Sequence, residues 1–165
     1  AAALDAALPP GLDIVAAAEA TPGALADRLQ ASDWAIAVRG MDASELGAAI
    51  ETFLAAERIE VSRMFKTGLR TFDARAAVIL MRLDTAESLA VLTEVVAPEC
   101  AILRMVVRHT TPAVRPDDIL TALRAVAGLE PPTPPLVIRL AQGPLQDDNA
   151  TVADPLAAIE SVAGA

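Results

Sequence analysis

Residues 33–57 read DWAIAVRGMDASELGAAIETFLAAE, and this stretch decides the fold. In its first part Trp34, Ile36 and Val38 alternate with Asp33, Ala35 and Ala37. A period of two places the larger side chains on one face of a β-strand over residues 33–39. Past Gly40 the period changes. Asp42 is placed to cap a helix, and Glu45, three residues on, completes a capping box. Leu46, Ile50, Phe53 and Leu54 then recur at helical spacing, which predicts an amphipathic helix over 43–57.

The pattern continues outward from there. Ile59 and Val61 alternate with Arg58, Glu60 and Ser62, the mark of a half-buried strand. Lys66-Thr67-Gly68 is a turn in which Gly68 can take a positive φ, and residues 69–74 pair back. Residues 76–83, AAVILMRL, are nearly continuous apolar and read as a central strand covered on both faces. Residues 100–109, CAILRMVVRH, form a further strand, with Leu103, Met105 and Val107 on one face and Ile102, Arg104, Val106 and Arg108 on the other. Arg115-Pro116-Asp117-Asp118 opens a second helix, with proline at its first position and acids in its first turn. Its stripe is Ile119, Leu120, Leu123 and Val126, and Gly128 closes it. A proline-rich connection over 130–135 leads to a last strand at 136–140.

Strand, helix, hairpin, strands, helix, strand predicts an α/β (α+β) domain. The expected form is a ferredoxin-like split βαβ sandwich, with a mainly antiparallel sheet and two main helices on one face. The flanks are less regular. Residues 1–8 read as the end of a helix stopped by Pro9-Pro10-Gly11, 12–18 as a strand, and 22–30 as a short helix begun by Thr21-Pro22. Residues 85–98 suit a helix or an edge strand, with a helical or irregular excursion preferred. The expected domain map is a remnant of a preceding N-terminal half at 1–32, the ferredoxin-like domain at 33–140, and a flexible tail at 141–165, with a weak helical turn near 156–162.

Composition narrows the function classes. A chain of 165 residues with 54% apolar content suits one folded domain with a tail, although much of that content is alanine. The net charge of −9 favours solubility and opposes indiscriminate binding to nucleic acid or anionic membranes. Cys100 is the only cysteine, which rules out an intrachain disulfide and a cysteine-rich metal or iron–sulfur site. A lone thiol suits a cytoplasmic location. No basic leader and no run of 18 uncharged apolar residues is present, so no signal peptide or membrane span is expected. Arginine outnumbers lysine twelve to one, which is explained by coding bias and is no sign of nucleic-acid binding in itself.

Charge is unevenly placed. Between residues 58 and 82 six basic side chains face two acids, a local balance of +4 in an acidic chain. Arg63, Lys66, Arg70, Arg104, Arg108 and Arg115 are expected to line one edge if the two strands that carry them are neighbours. Arg75 and His109 complete the candidate binding set. His109, the only histidine, belongs to a type that exchanges protons near neutrality, but no Ser-His-Asp or Cys-His spacing accompanies it. Asp73 and Arg75 suit structural pairing, or Arg75 suits a phosphate. Asp117 and Asp118 suit the helix dipole better than a metal. Gly40, Gly47 and Gly68 are isolated, so no phosphate loop is present. Trp34 reads as core or subunit interface. With one Trp, three Phe and no Tyr, base stacking is a poor fit, whereas phosphate-directed binding is not. No catalytic residue, metal ligand or cofactor is assigned.

Four stretches resemble a known family: LDAALPPGLDIVAA (4–17), TFDARAAVILMRL (71–83), ILRMVVRHTTPAVRPDDILTAL (102–123) and RLAQG (139–143). They are similar to the C-terminal part of the bacterial radical-SAM-linked, or radical-SAM-associated, proteins of unknown function, with RLAQG like the actinobacterial branch. Such proteins occur alone or fused behind a cobalamin-binding radical-SAM enzyme. The resemblance implies a companion role, with the iron–sulfur cluster, SAM and cobalamin held by the partner. The family's first half carries a Gly-Phe-Asn/His-Pro-type motif that nothing here matches, so this chain is expected to be the later part of a longer protein.

Three readings follow. The first is a non-catalytic accessory domain that docks structured RNA or a protein for a radical-SAM partner through its arginines. The second is an enzyme domain whose site lies mainly in a missing N-terminal half, with His109, Asp73 and Arg75 contributing. The third is an oligomerisation module, forming a homodimer through Trp34 and a sheet edge.

Overall fold

The computed structural model describes residues 2–19, 23, 25–85, 100–146 and 150–157. Two four-residue helices, α1 (Ala2–Asp5) and α2 (Leu25–Arg28), precede strand β1 (Ala31–Val38). Helix α3 (Ala43–Ala55) starts where expected: Asp42 accepts a hydrogen bond from the Ser44 N–H at 2.7 Å. The hairpin of β2 (Glu60–Phe65) and β3 (Gly68–Asp73) follows, with Gly68 at φ 112° beside the turn. Then come β4 (Val78–Asp84), β5 (Ala101–Arg108), α4 (Pro116–Ala127) and β6 (Leu136–Gly143).

The main sheet runs β4-β5-β1-β6, and every neighbouring pair is antiparallel. Each crossover, β1–α3–β4 and β5–α4–β6, therefore skips one strand, which is the split βαβ arrangement of an α+β sandwich. Hairpin β2–β3 is a separate two-stranded sheet inserted into the first crossover.

Register assigns the faces. Ile36 lies opposite Leu103, Trp34 opposite Met105 and Ser32 opposite Val107. This side packs on Leu46, Ile50 and Phe53 of α3 and on Ile119, Ala122 and Leu123 of α4, all within 5% exposure. A smaller cluster of Ala35, Ala37 and Ile102 occupies the far side, with Cys100 half-buried beside it. The two faces of β5 divide as the sequence predicts.

Several sequence expectations change. Residues 76–83 do not make a central strand. Arg75–Ala77 form a 3₁₀ turn, and β4 is an edge strand whose Arg82 and Asp84 face away from the helices. The central pair is β1 and β5, because these two runs are apolar on both sides. Residues 12–18 form no strand: Val15 is 98% exposed, and Ile14 gives its N–H to the Asp5 carboxylate instead of a ladder. Leu54 and Val126 turn outward from their helices. Strand β6 runs past Leu140 to Gly143, and β7 (Leu145–Gln146) pairs with β8 (Thr151–Val152). A methyl group on Gly143 would sit 2.1 Å from the Ala153 carbonyl oxygen, so only glycine permits this approach. The excursion expected at 85–98 lies, from residue 86 on, outside the described residues, as does the turn expected near 156–162 from residue 158 on.

Candidate functional site

Side chains meet solvent in a cleft where α4 begins above the start of β1 and the end of β5. Its volume is about 470 Å³. Strands supply Ser32, Trp34, Val107, Val137 and Arg139; the loop before α4 supplies His109, Val114 and Arg115; α4 adds Pro116 and Asp117.

His109 leaves the end of β5 with its backbone still laddered: its N–H donates to the Gln30 carbonyl at 2.7 Å. Ring atom Nδ1 lies 2.5 Å from the Leu29 carbonyl oxygen and Nε2 lies 2.8 Å from Ser32 Oγ. A carbonyl only accepts, so Nδ1 carries a hydrogen, and in the Nδ1–H tautomer Nε2 accepts from the Ser32 hydroxyl. Ser32 is buried, at 2% exposure. Across the cleft the Arg139 guanidinium stacks 5.4 Å from the Trp34 ring.

The hairpin joins this cleft through one carboxylate. Asp118, buried in the first turn of α4, accepts the Arg115 backbone N–H at 2.8 Å and pairs with the Arg63 guanidinium. Arg63 also donates to the Ala113 carbonyl at 2.9 Å, at the rim of the cleft. Arg63 and Arg70 are cross-strand neighbours and share a hairpin face with Phe65 and Phe72. The guanidinium of Arg63 sits 4.8 Å from the Phe65 ring and that of Arg70 5.3 Å from it, while Phe65 and Phe72 meet edge to face at 6.4 Å. Lys66 is exposed in the turn, and Met64 and Leu69 project from the opposite hairpin face at 71% and 65% exposure.

The eight candidate residues divide. Arg63, Lys66 and Arg70 lie on the hairpin and His109 and Arg115 at the cleft, with Arg63 linking the two through Asp118 and the Ala113 carbonyl. Arg104 and Arg108 lie on the far face, opposite Ala35 and Ala31, because β5 alternates them away from Met105 and Val107. The single edge expected for Arg63, Lys66, Arg70, Arg104, Arg108 and Arg115 does not form. Arg104 forks onto Asp33 at 2.8 and 3.2 Å and reaches Asp84 at 3.6 Å. Those hydrogen bonds to Asp33 above all, with the charges of Asp33 and Asp84, raise its pKa despite burial. Arg75 stands apart as a structural pin. It donates to the Val78 and Leu54 carbonyls at 3.3 and 3.4 Å and lies over Phe53. Asp73 does not take the Arg75 side chain but caps backbone N–H groups of Ile59, Arg75 and Ala76.

Sequence reasoning missed Ser32 and Arg139. Ser32 carried a signal, since it continues the period of Trp34, Ile36 and Val38 and so places a hydroxyl on a core-facing row. Arg139 becomes meaningful only through its register opposite Trp34.

Among the described residues no group of three or more His, Cys, Asp or Glu is placed to hold a metal, and no helix is long and apolar enough to cross a membrane.

Fold and cleft define an α+β domain with split βαβ connectivity and a basic, partly apolar cleft on its helical side. The chain belongs to the family described as an uncharacterized protein conserved in bacteria (DUF2344), whose model matches residues 1–116. No curated protein and no solved structure matches the chain.

Proposed function

We propose that this chain is a cytoplasmic accessory domain that binds structured RNA beside a radical-SAM enzyme. The observation that carries the reading is the placement of cations left without carboxylate partners. Among the described residues Lys66, Arg70, Arg115 and Arg139 form no ion pair with a described acid, and neither do Arg28, Arg39 and Arg75, whereas Arg58, Arg63, Arg82, Arg104 and Arg124 do. Lys66 and Arg70 lie at and beside the hairpin turn, and Arg115 precedes α4, where Arg63 anchors the hairpin. The phenylalanines between them are packed against guanidinium groups and leave phosphate contact as the binding mode. The family resemblance supplies the enzymatic companion, which would hold the cluster, SAM and cobalamin.

The test is titration of a labelled stem-loop RNA between low and physiological salt. Three phosphate contacts give a log–log slope of about −2.7 on duplex RNA if each contributes as on B-DNA. Lys66→Gln/Arg70→Gln reduces that slope by about 2. Absence of binding at low salt, or an unchanged slope in the double variant, contradicts the reading. Co-purification of the untruncated protein with a radical-SAM enzyme tests the companion role.

A further inference from the structure

Arg115 and Arg139 reach the same cleft from different elements, the loop before α4 and strand β6. Among the described residues Asp117 is the one acid in the lining. The remaining wall is largely apolar, with Trp34, Val107, Val114 and Val137. Ser32, buried and hydrogen-bonded to His109, places its hydroxyl oxygen at that end of the cleft.

We propose that this cleft binds a small molecule carrying one anionic group, a phosphate monoester or a carboxylate, on an aromatic or apolar body. Arg115 and Arg139 hold the anion by charge-assisted hydrogen bonds. The body lies against Trp34 and the valines. The helix start adds little, since Pro116 has no N–H and the Arg115 N–H is already taken by Asp118. Selectivity therefore rests on side chains. A volume of about 470 Å³ lies in the usual range for small-ligand sites, roughly 300–1,000 Å³, and does not admit a nucleic-acid duplex. The proposal rests on the helical-side cleft being a working surface, but not on RNA being its partner.

Trp34 is the sole tryptophan of the chain, so the cleft carries its own reporter. Phenyl phosphate, benzoate and inorganic phosphate are titrated into the intact chain, followed by Trp34 emission and by calorimetry. Saturable binding of phenyl phosphate or benzoate is expected, and the tighter of the two identifies the anion. Inorganic phosphate, lacking the body, binds about 10-fold or more weakly. Arg115→Gln and Arg139→Gln, both exposed positions that leave the fold intact, each weaken the aromatic anion about 10-fold. Calorimetry reads the Arg139 variant independently of its stacking on Trp34. Three results overturn the proposal: no saturation by either aromatic anion up to about 10 mM, unchanged affinity in the two arginine variants, or inorganic phosphate binding as tightly as phenyl phosphate. Lys66→Gln/Arg70→Gln leaves phenyl phosphate affinity unchanged while weakening stem-loop RNA, so failure of one reading is distinguishable from failure of the other.

Discussion

Replacing Asp118 by alanine removes the one carboxylate that ties hairpin, loop and helix together. In the native chain its Oδ2 meets both the Arg63 guanidinium and the Arg115 N–H, with Asp118 itself 6% exposed and the Arg63 side chain 20% exposed. Truncation leaves a half-buried guanidinium and a helix-cap N–H without an acceptor. Removing one partner of a fully buried pair costs about 3–5 kcal/mol, and the partial exposure of Arg63 reduces this to roughly 2–3 kcal/mol. At about 2–4 °C per kcal/mol for a chain of this size, the melting temperature falls by about 5–10 °C. Asp118→Asn retains an acceptor for Arg115 and loses about half as much. Calorimetry on Asp118→Ala, Arg63→Met and the double variant gives the coupling, expected at about 1–3 kcal/mol. Effects that add within about 0.5 kcal/mol show that the two side chains do not act together, and refute the account of how the hairpin is held.

Other outcomes follow from single contacts. The Ser44 side chain and N–H hold the Asp42 carboxyl below its ordinary 3.8. Its contribution is thus complete above that value and is lost as pH falls through the lower folded-state value; circular dichroism of the chain against Asp42→Ala shows a difference that disappears in strong acid. Gly143→Ala forces a methyl group onto the Ala153 carbonyl and destabilises the chain by about 1–3 kcal/mol, seen as a lower urea midpoint with unchanged slope. Arg104→Met leaves Asp33 without its forked cation, while Asp84 keeps Arg82, and lowers stability by about 2–3 kcal/mol, while stem-loop RNA affinity at a temperature where the variant is folded stays within about twofold.

The fold was largely legible because its decisive elements are strongly periodic. Residues 33–57 switch from period two to helical spacing within a few positions, and β5 is a β-prone run whose Arg104 and Arg108 share the face opposite Leu103, Met105 and Val107. Strand β4 misled because alanines that belong to a 3₁₀ turn extended its apolar run and hid the alternation of Arg82 and Asp84. The run at 12–18 has β-prone residues but no neighbour to pair with. The site was less legible for a different reason. Guanidinium groups are alike in sequence, and what separates them is the partner each one meets. Arg104 and Arg115 differ only once Asp33 and Asp84 are seen beside the first. Ser32 and His109 lie 77 residues apart, so no local spacing could announce their hydrogen bond. Arg139 depends on the bulge that shifts β6 against β1 between Asp33 and Trp34.

Backbone NMR of the isotopically labelled chain, titrated with stem-loop RNA, tests most directly which side of the sheet is the working surface. Shift changes are predicted at the hairpin turn, at Arg70 and along residues 109–117, with Arg104 and its neighbours on the far face unmoved. Changes centred on Arg104 and Arg108, with the hairpin and the start of α4 silent, would contradict the assignment.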